Sequence, residues 1–503
     1  MDDPSSHPDK FPTKEIQDNE RQRLFRLIEK MVLWENATDK ELFAKAYEEI
    51  KKSTNGNPPP VFDPFAGGGA IPLEAQRLGL KAIAADLNPV AVMINKAMIE
   101  IPTKFANQPP VNPEAKSLVD ADWQGAQGLA NDIAYYGKML KERAFEKIGH
   151  LYPKVDVPET GQEATVIAWI WARTVKCPNP ACECKMPLVH SFWLSKKKKK
   201  AVYLSPVVDG KKVRFEIRND TKNVPEGTVN RTGARCVSCG ANVPFSYIRE
   251  EAKAGRMGTY MMAVVAEGIN GRLYLEANEE YEKIATIDRP NDYPDAVLPN
   301  NPRDFKTPNY GLNNFADLFT NRQLTALTTF SDLITDMHEQ VCKDGGSKEY
   351  GEAITLYLAF AVDKALDWNS SICGWNPSRD VLRNTFGRQA IPMVWDYAEA
   401  NIFSESAGSF ESMLKWIKKC TQSLPTGVIG DVIHHDASQD NGLKEVVIST
   451  DPPYYDNISY ANLSDYFYIW LRRILRSIYP EIFSIMQTPK QMELIAEPSV
   501  SAY

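Results

Sequence analysis

Apolar residues three and four apart open the chain. Leu24, Leu27, Ile28, Met31 and Val32 fall on one face of a helix over 20–34, and 39–52 repeats the pattern behind a Thr38-Asp39 cap. The period then changes. Pro59-Pro60 leads into the short apolar strand Val61-Phe62, the acid Asp63, three consecutive glycines at 67–69, and a helix that stops at Gly79, a natural residue for the left-handed position after a helix. Lys81–Asp86 is a second strand ending in an acid. Farther on, 131–148 is an amphipathic helix through Ile133, Tyr136, Leu140, Ala144 and Ile148, and 164–175 reads as a strand. The stretch 252–417 reads as mostly helical, with an apolar helix over 352–368 and a long polar loop over 300–314. A strand over 431–435 closes at Asp436-Ala437. The β-branched run Val446–Thr450 reads as a short buried strand, stopped by the double proline at 452–453. Ser464 is placed to cap a last, aromatic helix whose Tyr466, Phe467, Tyr468 and Trp470 read mainly as core. Strand, loop, helix and strand in alternation predict an α/β fold with a Rossmann-like sheet.

Composition sharpens this picture in two ways. The chain has 503 residues, 43% of them apolar, enough for several cores, and its net charge of −7 argues against a generally basic surface. Contact with nucleic acid therefore has to come from local groups: the lysine run 196–200, which reads first as a solvated turn, or Trp375–Arg379 with Arg388. The polar, proline-broken N-terminus Met1–Pro8 lacks an apolar signal, and the longest apolar run, around 353–362, is far short of the roughly 20 residues of a membrane helix. These features place the chain in the cytoplasm with no membrane partner.

The strand, glycines, helix, strand and acid of 61–86 form a phosphate- or nucleoside-cofactor pattern. Gly67 and Gly69 let the backbone approach a ligand where a Cβ would collide, and Asp86, about 20 residues on, is placed to accept hydrogen bonds from ribose hydroxyls. Asp436, followed by a small residue, is a candidate reader of an adenine ring. At the tip of the 446–450 strand stand Asp451-Pro452-Pro453-Tyr454-Tyr455-Asp456, an acid, two rigid prolines and aromatics, where open α/β sheets bind ligands.

The cysteines carry a second chemistry. Cys177-x4-Cys182 and Cys236-x2-Cys239, with proline or glycine turning each knuckle, match a four-thiolate structural Zn2+ ribbon. Cys182-Glu183-Cys184 offers two candidates for one ligand. Cys182 follows the better turn and is taken as the ligand, with Cys184 a spare thiol. Cys342, Cys373 and Cys420 are scattered, as reduced buried thiols would be.

Asp451-Pro452-Pro453-Tyr454 resembles the catalytic loop of amino-methyltransferases. An exocyclic amine is a poor nucleophile, so a carboxylate and a proline-fixed carbonyl that accept its hydrogens favour attack, while Tyr454 would stack on an extruded base. Nearly the whole chain is similar to the zinc-ribbon-containing adenine-specific DNA methylase family. The likeness is carried by Trp34-Glu35-Asn36, Asp63–Arg77, Ala85–Ala91, both cysteine knuckles, Tyr310-Gly311-Leu312, Gln389–Asp396 and Asp451–Tyr460. The resemblance implies S-adenosylmethionine as cofactor, surrounded by Asp63, Phe65, Gly67, Gly69, Asp86 and Asp436. It further implies that Asp451, Pro452, Pro453 and Tyr454 hold the target amine, with DNA as partner and adenine N6 as the acceptor. Restriction-modification or phage defence is the biological setting it suggests.

The expected organisation is a cofactor-binding half (1–125), a helix plus zinc ribbon (126–250), a mainly helical insertion suited to target recognition (251–420) and a catalytic half (421–503). Relative to that family the chain begins inside the familiar pattern, and only four sheet strands can be placed. The expectation is thus an incomplete class I methyltransferase sheet, apparently a fragment, with an apolar edge open to a complementing chain or another restriction or defence subunit. Two alternatives stay open at this point: an RNA base methyltransferase, and a non-catalytic zinc-ribbon subunit that binds nucleic acid.

Overall fold

The computed structural model describes residues 3–115, 122–158, 160–220, 223–269, 271–455 and 458–495. Met1, Asp2 and Asp456 lie outside the described residues. Two helices come first, α1 (Lys14–Met31) and α2 (Lys40–Ser53), capped by Thr13 and Asp39. α1 does not bury the apolar face that its pattern predicts. None of its residues is buried; it rests on α2 through polar contacts such as Arg23 to Glu49 at 2.7 Å, and Phe25 and Ile28 stay exposed.

A four-stranded, all-parallel sheet follows. It contains β1 (Val61–Asp63), β2 (Ala82–Asp86) and two strands from far down the chain. Helix α3 (Ala70–Arg77) connects β1 to β2, and α4 (Pro89–Asn95) leaves β2. β2 is the centre of the sheet, and Ala82, Ile83, Ala84 and Ala85 are buried because both its neighbours and both its faces are covered.

An insertion separates the two halves of that sheet. Its spine is β3 (Val166–Lys176), buried along all but its last residue. β3 pairs with β4 (Lys185–Leu188), with β5 (Gly258–Gly268), whose far side carries β6 (Gly271–Glu276), and with β7 (Asp396–Ala400), all antiparallel. The stretch expected to be mostly helical thus contributes three strands to this sheet. Met261–Ala266 is apolar without alternation because the sheet is covered on both faces: Trp169 and Trp171 of β3 face the helical core, while Ile170 and Ala172 face a second core with Phe192 and Leu194. An unbroken apolar run carries no period that separates strand from helix. Helices α5 (Gln127–Ile148), α6 (Asn321–Lys343), α7 (Lys348–Leu366) and α8 (Phe410–Ser423) pack on the first face.

The chain then returns to the parallel sheet as β8 (Asp431–His434), beside β2, and β9 (Val447–Ile448), beside β1, giving the order β8-β2-β1-β9. β9 is not buried. It is the sheet's edge, with no described strand on its outer side, and Val447 and Ile448 are 49% and 63% exposed.

The last helix, α9 (Tyr460–Leu475), starts after Ser459, one turn earlier than a Ser464 cap would place it. Its Tyr466, Tyr468 and Trp470 are core, as their pattern predicts. Ser459 is held by the supposed polar loop: Asn301 Nδ2 donates to Ser459 Oγ (2.8 Å), which donates to the Asp304 carboxylate (2.6 Å). Asn301, Asp304 and Thr307 are buried, because that loop serves as packing for the start of α9 rather than as surface. Of the scattered thiols, Cys373 is buried, Cys342 half-buried and Cys420 exposed on the outer face of α8, against expectation. No described helix is long and apolar enough to cross a membrane.

Candidate active site and thiolate cluster

β1 delivers Asp63 into the interior, where it is 2% exposed and its carboxylate accepts the Phe65 N–H at 3.1 Å. Burial pushes this carboxyl above its ordinary value, against the opposing pull of its hydrogen bonds. The glycine loop that follows is tied to β2. Gly67, at φ +49°, donates its N–H to Asp86 Oδ2 (2.8 Å), while Asp86 Oδ1 accepts the Asn88 N–H (2.8 Å) and Asn88 Oδ1 caps α4 at Val90. Asp86 therefore does two things: it sets the loop's path and still lines the cleft. Burial is the main cause of its raised pKa.

The three glycines divide their work. A Cβ on Gly68 would meet nothing within 4 Å. One on Gly69, at φ +80°, would come within 2.7 Å of Asn95 Oδ1 and of Met98, so Gly69 lets α3 start against α4 and is absent from the lining of the cleft.

β9 brings the second motif to the same place. Thr450 Oγ1 donates to Asp63 Oδ1 at 2.7 Å, so Asp451 follows one residue after an anchor on the first motif. Asp451 is exposed, and the Tyr454 hydroxyl donates to its two oxygens at 3.1 and 3.2 Å. That pairing raises the Tyr454 pKa. Tyr454 is 59% exposed, its ring open to a stacking partner.

A cleft of about 630 Å³ joins these parts. Asp63, Phe65, Gly67, Asp86, Asp436, Asp451, Pro452, Pro453 and Tyr454 all line it, so of the ten residues read from sequence for cofactor and amine only Gly69 stands outside. Asp436 follows β8, and the Ser438 N–H bonded to it at 2.9 Å holds its carboxyl below the ordinary value. Sequence reasoning missed Asn88, Tyr460, Ser464 and the wall Met492–Ile495. Asn88, two residues after the strand-ending acid and just before Pro89, is a cap signal that could have found it. The wall had no local signal: it reaches the cleft because the buried Asp465 carboxylate accepts both the N–H and the hydroxyl of Thr488, each at 2.8 Å.

Residues 44–141 match a family model described as D12 class N6 adenine-specific DNA methyltransferase. The match covers most of α2, β1, the glycine loop, β2 and Asp86, and ends inside α5, well before the Asp451 loop. It supports adenine DNA methylation as the general chemistry of this segment, which implies S-adenosylmethionine as methyl source and DNA as substrate; the parallel sheet is consistent with a methyltransferase domain. No curated protein and no solved structure matches the chain.

A separate cluster lies at one end of the insertion. The sulfurs of Cys177, Cys182, Cys236 and Cys239 all lie within 4.8 Å of one another, with Cys177 to Cys239 at 3.8 Å and Cys182 to Cys236 at 3.9 Å. Four sulfurs about 2.3 Å from a tetrahedral ion would be about 3.8 Å apart. The knuckles supply the expected support, with the Asn179 N–H directed at Cys177 Sγ and the Cys184 N–H at Cys182 Sγ. That second bond is the main reason the Cys182 thiol is lowered to about 6, whereas burial pushes Cys177 up to about 12 and Cys184 higher still. The Cys184 sulfur, fully buried, sits 3.3 Å from that of Cys236. The donor set fits a soft, four-coordinate ion.

Proposed function

We propose that this chain is an S-adenosylmethionine-dependent methyltransferase acting on the N6 amine of adenine in DNA, with the base extruded from the helix. The observation that carries the reading is the Thr450 to Asp63 bond, which joins the Asp451 loop to the glycine loop across a single cleft. S-adenosylmethionine, when bound, supplies an electrophilic methyl group. Gly67 and Gly68 would hold it by close backbone approach, with Asp86 and Asp436 as acceptors for its ribose and adenine.

The rest is work for the Asp451 loop. The Asp451 carboxylate and the Pro452 carbonyl accept the hydrogens of the exocyclic amine, keeping its lone pair out of the ring and aimed at the methyl. The amine takes the place on Asp451 that the Tyr454 hydroxyl holds here, and the Tyr454 ring stacks on the base. The proton released from nitrogen passes to Asp451, which faces solvent and can shed it. Zn2+ on Cys177, Cys182, Cys236 and Cys239 would close the ribbon; four thiolates leave no open position, so its part is structural.

The test is titration calorimetry of S-adenosylmethionine into the zinc-loaded chain, followed by transfer of labelled methyl to DNA or to structured RNA. Cofactor binding with N6-methyladenine appearing in DNA is expected. A folded, zinc-loaded chain that binds no cofactor overturns the reading, and preference for RNA overturns its substrate.

A further inference from the structure

Beside the cleft lies a second recess, of about 560 Å³. Tyr460 and Ser464, on the first turns of α9, line both spaces, so the recess adjoins the mouth where Asp451 and Tyr454 stand. Its floor is aromatic: the rings of Phe386, from the insertion, and Phe467 are 5.3 Å apart and inclined by 34°. Its rim is polar. Arg388 and Gln389 are exposed on it, and neither side chain has a hydrogen-bond or ionic partner among the described residues.

We propose that this recess receives a nucleotide of the DNA substrate next to the extruded adenine, its base against Phe386 and Phe467, its phosphate at Arg388 and its edge facing the Gln389 amide. The inference rests on the methyltransferase reading of the cleft. An aromatic floor, an amide and an unpaired guanidinium are the three groups that recognise a base face, a base edge and a phosphate. In a chain of net charge −7 an unpaired guanidinium beside the reaction site is complementary to a polyanion in a way the overall surface is not. Phe386, Arg388 and Gln389 come from the insertion and Phe467 from α9, beyond it, which gives the insertion a direct part in holding substrate.

The full chain, zinc-loaded and with a non-reactive cofactor analogue, is to be irradiated with DNA oligonucleotides carrying 5-iodouracil, and the cross-linked peptides mapped. Cross-links to Phe386, Tyr460 or Phe467 are expected. Arg388→Ala should weaken DNA binding roughly tenfold and reduce its salt slope by about one, with Arg388→Lys recovering most of it and calorimetric cofactor affinity unchanged in both. Cross-links confined to other surfaces, or a wild-type salt slope in Arg388→Ala, overturn the recess while leaving the methyltransferase reading standing. Cross-links in the recess from a chain that binds no cofactor instead sink that reading. Equal competition by RNA or by free adenosine monophosphate overturns DNA as the occupant.

Discussion

The Thr450 hydroxyl donates to the Asp63 carboxylate at 2.7 Å, across 387 positions of sequence. Asp63 ends the strand before the glycine loop, and Thr450 immediately precedes Asp451. One hydrogen bond to a buried acid thus sets the two motifs at a common height above the sheet. β9 pairs with β1 over only two residues, Val447 with Val61 and Ile448 with Phe62, so the bond supplies much of the register the short strand cannot.

Thr450→Val should therefore separate binding from transfer. A hydrogen bond to a charged group contributes about 1.5 kcal/mol, so a modest fall in thermal midpoint is expected. Methyl transfer should fall further, about 10- to 100-fold, as Asp451 loses its position. Thr450→Ser should retain most of both. Parallel melting curves and single-turnover transfer measure the split, and equal losses in stability and rate would show no positioning role.

Asp451→Ala should leave cofactor affinity intact and lower transfer by about 10²- to 10³-fold, the cost of removing an acceptor aimed at the reacting group. Calorimetry and labelled-methyl transfer check this. Unchanged transfer would remove Asp451 from the chemistry.

Alanine at successive glycines should act differently. Gly69→Ala meets Asn95 and Met98 at 2.7 Å with a left-handed backbone, and should cost roughly 1–3 kcal/mol of stability. Gly68→Ala meets no protein atom and should keep the wild-type melting temperature while weakening cofactor binding. Loss of stability in both would mean that the loop has no open face.

Burial pushes the Asp396 carboxyl from 3.8 up to about 7, even though its Oδ1 accepts the His190 N–H. A carboxyl whose folded pKa is raised contributes stability that is fully present below its unfolded value and is lost as pH rises through the folded one. Stability relative to Asp396→Asn should accordingly decline between about pH 4 and pH 7 and level off above. Urea midpoints of both proteins across that range would show it, and a difference that does not vary with pH would contradict it.

Cys182→Ser should reduce bound zinc from about one ion per chain to near none and loosen the segment 177–239, whereas Cys184→Ser should keep the ion. Metal analysis after dialysis decides between the two thiols. Retention in the first and loss in the second would exchange their roles.

The glycine loop, Asp86, the Asp451 loop and both cysteine knuckles were legible because each depends on local chemistry. A φ above zero, a strand-ending acid, a double proline and a two- or four-residue gap between thiols are properties of neighbouring residues, and the chain order alone displays them. Their chemistry required no knowledge of the fold between residues 100 and 430.

Only the tertiary structure decided what lies around those motifs. β3 finds β5 and β7 at distances of about 90 and 230 positions, so the sheet of the insertion has no local signature, and its unbroken apolar strands resemble buried helices in pattern. The same holds for Val447 and Ile448, apolar in sequence yet exposed, because whether a strand is central or at an edge depends on what pairs with it. Gly69 and Phe386 make the point in opposite directions. A glycine inside the loop motif serves helix packing, and a phenylalanine of the insertion lines the recess beside the Asp451 cleft, since burial and proximity belong to the folded chain and are not properties of any one stretch of it.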